Sequence, residues 1–270
     1  MGLQTLDRAV TVLRALGGGG EEGLRLIDLQ HIAHLTKPTT HRLLAALVDH
    51  GLVAHDAGSR RYRLGRELAI LGWSVAQRQH DLRAVSMHSA ALLAEETGDT
   101  VFVVVRSGFD TVCIERHTGA YPIKALTVDV GTRRPLGVGA GGLAILAALP
   151  PAESDAILAA VGERQGSYTR ATSAQLRAAI REARKSGHAV STGFVTEGVR
   201  GVSVAMRDFR GEPIAAIGIA AILPRIPARR VADLAHALDR ERRRIESRLL
   251  ATQAGSPDSR PAPARRHRLR

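Results

Sequence analysis

Lys37-Pro-Thr-Thr-His-Arg-Leu-Leu-Ala-Ala-Leu-Val-Asp-His50 is the stretch from which the fold of this chain is read. Pro38 suits the first turn of a helix, where a missing N–H costs nothing; Thr36 suits the N-cap and Gly51 the stop. Leu43, Leu44 and Leu47 form one inward stripe, leaving Lys37, Thr39, His41 and Arg42 near the opposite face at the N-terminal end. A shorter helix, about Asp28 to His34, precedes it across a tight turn at Leu35-Thr36. Two short helices in this order, with threonine and arginine at the open end of the second, read as a helix-turn-helix. Leu52 to Asp56, a turn at Ala57-Gly58-Ser59 and Arg60 to Leu64 then make a small hairpin with arginines on its tip and returning strand, which is a wing. The alternative is a generic three-helix core carrying a surface hairpin. Upstream, Thr5 caps a first core helix with Leu6, Ala9, Val10, Leu13 and Leu16 as its stripe.

The 270 residues suffice for two domains of ordinary size. Lys and Arg number 38 against 26 Asp and Glu, a formal +12, but residues 1–65 hold only eight basic and six acidic side chains. A polyanionic partner is therefore argued from the placement of Lys37, Arg42, Arg60, Arg61 and Arg63 rather than from net charge. A single cysteine, Cys113, excludes an intrachain disulfide and a multi-cysteine metal cluster. No basic head precedes a long apolar run, and no apolar stretch reaches the length of a membrane span. The expectation is a soluble cytoplasmic protein associated with the nucleoid, with no membrane, no metal and no cofactor.

After Gly65 the pattern becomes helical, about Arg66 to Gln79, with Leu68, Leu71 and Val75 apolar beside Trp73. This connector needs a partner surface, and a second protomer is the economical one, giving a homodimer or homotetramer. A further helix covers about Leu82 to Glu96. The remainder reads as α+β. Thr100 to Arg106 and Thr111 to Arg116 flank a hairpin turn, and a strand is expected at about Lys124 to Val130. A glycine-rich turn from Pro135 leads into an apolar helix ending at Leu149, with helices at about Ser154 to Val161 and Ser173 to Ser186. Strands at about Ala189 to Ser191, Val202 to Arg207 and Pro213 to Ala221 precede a closing helix, Arg229 to Leu250. The Pro-, Ser- and Arg-rich tail, 251–270, cannot build a core and is expected to be disordered and basic.

Several features imitate enzymes without completing a site. Gly137-Val-Gly-Ala-Gly-Gly142 has the spacing of a dinucleotide loop, yet Arg133, Arg134 and Pro135 interrupt the strand that should precede it. Its helix entrance could still receive an anion through free N–H groups, or could simply allow close packing. Cys113 sits mid-strand with no base beside it and reads as a buried apolar cysteine. His31 and His34 lack the carboxylates or cysteines of a metal site. No catalytic constellation is found, so an enzyme is poorly supported.

Thr5-Leu-Asp-Arg-Ala-Val10, Lys37-Pro-Thr-Thr-His-Arg-Leu-Leu44, Arg61-Tyr-Arg-Leu-Gly65, Glu95-Glu-Thr-Gly98, Val130-Gly-Thr-Arg-Arg-Pro-Leu136 and Glu197-Gly-Val-Arg200 resemble, in order and spacing, the signatures of the isocitrate-lyase-regulator-type (IclR) bacterial transcription factors. The resemblance covers about residues 3 to 250. It implies an N-terminal winged helix-turn-helix (1–65), a linker helix (66–81) and a C-terminal GAF-like effector domain with an antiparallel sheet (82–250), acting as a dimer or tetramer on palindromic promoter DNA. It also implies repression or activation of a catabolic operon under control of a small organic or aromatic acid. The DNA-contacting residues would be Lys37, Thr39, Thr40, His41, Arg42, Arg60, Arg61 and Arg63.

This chain departs from relatives that hold small carboxylates. Those read Ser-Gly-Ala-Gly-Lys at the helix entrance, where this chain has Gly139, Ala140, Gly141, Gly142 and Leu143. They have an aspartate where Ser191 or Thr192 falls, a cysteine where Gly201 falls, and two serines where Gly218 and Ala220 fall. Fewer polar anchors and shorter side chains imply a larger, more apolar effector, or a sealed core with no ligand. The expected pocket is lined by Leu126, Val128, Gly139 to Gly142, Ser191, Thr192, Gly201, Gly218 and Ala220. The alternative function is a DNA-binding regulator whose second domain only oligomerises.

Overall fold

The computed structural model describes residues 4–20, 22–76 and 82–254, without the side chains of 73–76, 163 and 252–254. The side chains of Trp73 and Val75, expected to be exposed on the connector, and residues 255–270 of the expected tail therefore lie outside what is described, whereas 251–254, expected to be disordered, continue the last helix. The chain divides into two compact units, 1–79 and 80–270.

In the first unit the elements run α1 (Gln4–Gly18), β1 (Leu24–Arg25), α2 (Leu26–Ala33), α3 (Lys37–Asp49), β2 (Val53–Asp56), β3 (Arg61–Leu64) and α4 (Arg66–Ala76). Val12, Leu16, Leu29, Leu44, Leu47, Val53 and Tyr62 form its core. The inward stripe of α3 thus meets α1, α2 and the wing, as the leucine spacing requires. Thr36 has the extended backbone of an N-cap, but its hydroxyl pairs with Thr39 Oγ1 at 2.9 Å instead of taking a helix N–H. The wing is one strand larger than the sequence suggests, with antiparallel order β1-β3-β2. Two residues are too few for a period-two pattern, so β1 is visible only through its pairing. Gly65 fastens α4 to the base of the wing. Its N–H donates to Leu52 O at 2.8 Å, Glu67 N–H donates to Gly51 O at 3.2 Å, and a Cβ at Gly65 would lie 2.0 Å from Gly51 O. That fastening ties the start of α4, the expected linker helix, to the base of the wing.

The second unit comprises α5 (Leu82–Thr97), β4 (Thr100–Ser107), β5 (Asp110–Thr118), β6 (Arg133–Pro135), α6 (Gly139–Ala148), α7 (Pro151–Gln165), α8 (Ser173–Ser186), β7 (Ala189–Thr192), β8 (Val199–Arg207), β9 (Pro213–Ile222) and α9 (Ala228–Ala254). Its six strands are antiparallel in the order β6-β5-β4-β9-β8-β7. Alternation sorts each strand between two cores. Val101 and Val103, Val202 and Val204, and Ile217 and Ile219 pack against α5 and α9. Val104, Ala205 and Ala216 face α6 and α8.

Three expectations change here. Residues Lys124 to Val130 form no strand, and Arg133–Pro135, read as an interruption, is the edge strand. The reason is a turn: Thr132 N–H donates to Asp129 O, Gly131 has φ +87°, and Gly131 and Thr132 exchange backbone bonds with Cys113. That turn occupies the edge of β5, so pairing resumes only at Arg133, and Pro135 is tolerated because β6 has no further neighbour among the described residues. The apolar helix α6 begins at Gly139, so Gly139 to Gly142 are its first turn rather than a loop before it. No helix among the described residues is long and apolar enough to cross a membrane.

Asp99 ties this unit together. Its carboxylate, 1% exposed, accepts from Arg225 Nε at 3.0 Å and Arg230 Nη1 at 2.7 Å. The same two arginines donate to Thr97 O at the end of α5. Removing the carboxylate leaves two half-buried cations unpaired, so Asp99→Ala is expected to cost about 3 kcal/mol of unfolding free energy. Urea denaturation followed by circular dichroism checks this; a loss within the error of the extrapolation refutes it.

Candidate nucleic-acid interface and effector cavity

The wing tip is set by Asp56. Its carboxylate accepts from Gly58 N–H at 2.9 Å and from the Ser59 hydroxyl at 2.9 Å, with Ser59 N–H at 3.4 Å. Those bonds, the Ser59 hydroxyl first, hold the Asp56 carboxyl below the usual carboxylate range. The turn leaves Arg60 in the left-handed region, φ +55°, and exposed. A groove of about 550 Å³ then lies between the wing tip and the openings of α2 and α3, with Arg25, Lys37 and Arg60 on its walls. Lys37, His41, Arg42, Arg60 and Arg63 are exposed, and none of Arg25, Lys37, Arg42, Arg60 and Arg63 has an ion pair among the described residues. Cations left open around helix N-termini suit phosphates.

Two expected DNA contacts, Thr40 and Arg61, are placed differently. Thr40 is fully buried, its hydroxyl donating to Thr36 O at 3.0 Å, so it packs the turn instead of facing outward. Arg61 is turned into the fold, donating to Gly23 O at 2.8 Å and lying 3.5 Å from Glu22. Thr39 is half-buried, with its hydroxyl on Thr36. Arg25 was missed because it lies on β1, which the sequence pattern does not show.

The second unit encloses a cavity of about 100 Å³ on the α6 side of the sheet. Val128, Gly139, Ala140, Gly142, Gly201, Gly218 and Ala220 stand in its wall, as expected from the sequence. Leu126 does not: it is exposed on the loop, and its neighbours Thr127 and Val128 turn inward. Ser191 is buried elsewhere on β7, Thr192 is exposed with its hydroxyl accepting from Arg200, and Gly141 lies beside the cavity against Val104. The cavity is also smaller than expected. A Cβ at Gly141 would sit 2.8 Å from Val104 Cγ2, and one at Gly218 would sit 1.8 Å from Ser203 Oγ. The space that these glycines vacate is already filled by neighbours.

The residue that sequence reasoning missed is Arg134. It reaches the cavity from β6, where Thr111 pairs with it across the strands. Its Nη2 donates to Thr127 O at 2.6 Å, and no carboxylate among the described residues pairs with it. Burial pushes the guanidinium below the usual arginine range, Tyr168 opposing weakly, yet an arginine stays charged at neutral pH. Reading Arg133-Arg134-Pro135 as an interruption hid this residue. Cys113 also lines the cavity, its thiol pushed up to about 11 by burial, so it is a poor nucleophile at neutral pH.

Comparison with known proteins joins these two sites in one family. The IclR helix-turn-helix domain matches residues 5–57, and the bacterial transcriptional regulator IclR C-terminal domain matches residues 75–247. The glycerol operon regulatory protein of Streptomyces coelicolor is 30% identical over 227 residues, 83% of this chain and 87% of that protein. The structure is similar to that of an IclR transcriptional regulator from Silicibacter sp. TM1040, with a TM-score of 0.74 at 24% identity, covering 91% of this chain and 96% of the other. It is also similar to an IclR homolog from Microbacterium hydrocarbonoxydans solved with 4-hydroxybenzoate, with a TM-score of 0.69 at 23% identity, covering 92% of this chain and 99% of the other. The chain belongs to the IclR family of bacterial transcriptional regulators, DNA-binding proteins rather than enzymes.

Proposed function

We propose that this regulator binds a small organic or aromatic acid, of one ring or less, in the cavity at the N-terminal end of α6. The occupant alters its grip on a palindromic promoter site of a catabolic operon. One observation carries the reading: the half-buried Arg134 guanidinium at the cavity wall has no carboxylate partner among the described residues. A charge partly removed from water is costly until an anion meets it, and a carboxylate can take two parallel N–H bonds from one guanidinium. The N–H groups of the first turn of α6, which has no side-chain cap, add donors. Phe102, Val104 and Val138 supply apolar wall, at about 25 cal/mol per Å² removed from water. A dry cavity of roughly 150 Å³ is known to take benzene, so about 100 Å³ sets a single ring as the upper bound. Such binding regulates only if ligand and DNA favour different states, and the coupling is then reciprocal.

4-Hydroxybenzoate, benzoate and shorter acids are the probes for calorimetry, with benzamide as the uncharged control. Arg134→Gln is expected to weaken binding by about 1.5 to 3 kcal/mol, and Ala140→Leu to abolish it while leaving basal DNA binding intact. Alkylation of Cys113, slow at pH 8 because only about one thiol in a thousand is ionised, should slow further with ligand. Unchanged affinity in both variants moves the site elsewhere, and no hit among the acids favours a domain that only oligomerises.

For DNA, Arg42 and Thr39 are assigned to base edges, and Lys37, His41, Arg60, Arg63 and Arg25 to phosphates, from their positions at the open end of α3 and around the groove. Arg42→Ala is expected to cost about 1 to 3 kcal/mol at the preferred site and to relax discrimination. Arg60→Ala should weaken all duplexes alike and lower the salt slope by about 1. Mobility-shift titrations at several salt concentrations distinguish them, and equal losses on specific and random DNA would overturn the division.

Assembly follows from α4, where Ile70 and Leu71 are 48% and 51% exposed. Two adjacent exposed aliphatic side chains on one short helix favour burial against a symmetry mate. Sedimentation equilibrium at micromolar protein is expected to show at least a dimer, reduced toward monomer by Leu71→Glu. A monomer that binds a half-site tightly contradicts this.

A further inference from the structure

At the other end of α6 lies a cleft of about 320 Å³, with Arg184, Arg207, Arg242, His188 and Asp239 among its walls. Arg184, in the last turn of α8, donates through Nε to Ala147 O at 3.2 Å and through Nη2 to Leu146 O at 3.4 Å and Leu149 O at 3.5 Å. Arg207, the last residue of β8, donates through Nη2 to Ala148 O at 3.1 Å and through Nη1 to Gly211 O at 2.6 Å. Both guanidiniums therefore cover carbonyls that α6 leaves without intrahelical partners.

Capping alone leaves this cleft positive. A helix C-terminus carries about half a negative charge, whereas two guanidiniums carry two positive ones. Neither Arg184 nor Arg207 has a carboxylate partner among the described residues. The nearby acids are already balanced. Asp239 accepts from Arg242 at 2.7 and 2.8 Å and from Arg243 at 2.9 Å, and Glu246 pairs with Arg242 while also accepting the backbone N–H of Arg207. Burial raises the Asp239 carboxyl, but the bonds from Arg242 and Arg243 outweigh it and hold the group below its usual range. Two carboxylates thus face two further arginines, and the excess charge of Arg184 and Arg207 stands. Donors remain too: the Nη1 of Arg184 and the Nε of Arg207 make no hydrogen bond among the described residues.

We propose that this cleft is a second ligand site, distinct from the effector cavity, which takes a small divalent oxyanion of the phosphate class through Arg184 and Arg207. Charge-assisted bonds from paired guanidiniums suit phosphate oxygens, and the volume leaves room for the remainder of a phosphate monoester. Because α6 forms part of the wall of both sites, an occupant here competes with the carbonyls of α6 for the two arginines.

The test uses the full-length protein titrated with inorganic phosphate, and separately with ribose 5-phosphate, at ionic strength held constant with chloride. Calorimetry is expected to show saturable binding that falls about tenfold or more in Arg184→Gln and in Arg207→Gln. His188→Glu adds a carboxylate to the cleft without touching the α6 carbonyls; it should weaken phosphate equally while leaving the phosphate-free Tm nearly unchanged, and it decides the matter if the arginine variants fold poorly. Equal affinity for the two probes identifies the free ion as ligand, and tighter binding of the ester identifies an esterified one. Heat that does not saturate, or phosphate affinity unaltered by His188→Glu and by whichever arginine variant folds, overturns the proposal.

Discussion

The alternation of side chains along β9 is the constraint on which the second unit depends. Ile217 and Ile219 point toward α5 and α9, while Ala216, Gly218 and Ala220 point toward α6. Each buried isoleucine contributes about 1.5 to 3 kcal/mol, so a one-residue slip that sent both to the other face would remove a core and fill the cavity at once. Gly218 is required by its cross-strand neighbour: Ser203 occupies the space where its Cβ would be. The cavity is thus a consequence of how the sheet is registered, and its volume is what remains after Val104, Ser203 and Val138 have taken their places.

Charge is handled differently at three of the arginine sites of this unit. Asp99 answers Arg225 and Arg230 inside the fold, and the ion pairs hold the junction of α5 and β4 to Arg225 just before α9 and to Arg230 in the first turn of α9. Arg184 and Arg207 answer helix carbonyls, which supply only partial charge. Arg134 answers one carbonyl beside a cavity. The first arrangement is complete and structural; the other two leave positive charge facing volume that a ligand can enter. That contrast separates arginines whose charge is met inside the fold from those proposed to meet a ligand, although all are the same residue in the sequence.

In the first unit the same sorting occurs on the wing. Arg60 and Arg61 are adjacent, yet the Asp56-centred turn throws Arg60 outward while strand pairing with β1 brings Arg61 against Gly23 and Glu22. The wing therefore presents its tip, with Arg25 and Lys37 across a groove, as a cationic surface whose shape is set by hydrogen bonds to the Asp56 carboxylate.

Local pattern was enough to read the helices of the first unit, the leucine stripe of α3, the two hairpins of the sheet and the glycine-rich opening of α6, because period and capping act within a few residues of one another. The family resemblance likewise rests on short blocks in order. What the sequence could not decide was which polar groups are free. Arg61 meets a carbonyl 38 residues away, Thr40 is closed over by the helix turn that it packs, and Leu126 lies on a loop where a strand was expected. Arg134 enters the cavity only because the turn at Asp129 to Thr132 takes the edge of β5 and makes β6 begin at Arg133. Side-chain type is a property of the chain, but whether a charge is spent or available depends on partners that only tertiary pairing brings within hydrogen-bond distance.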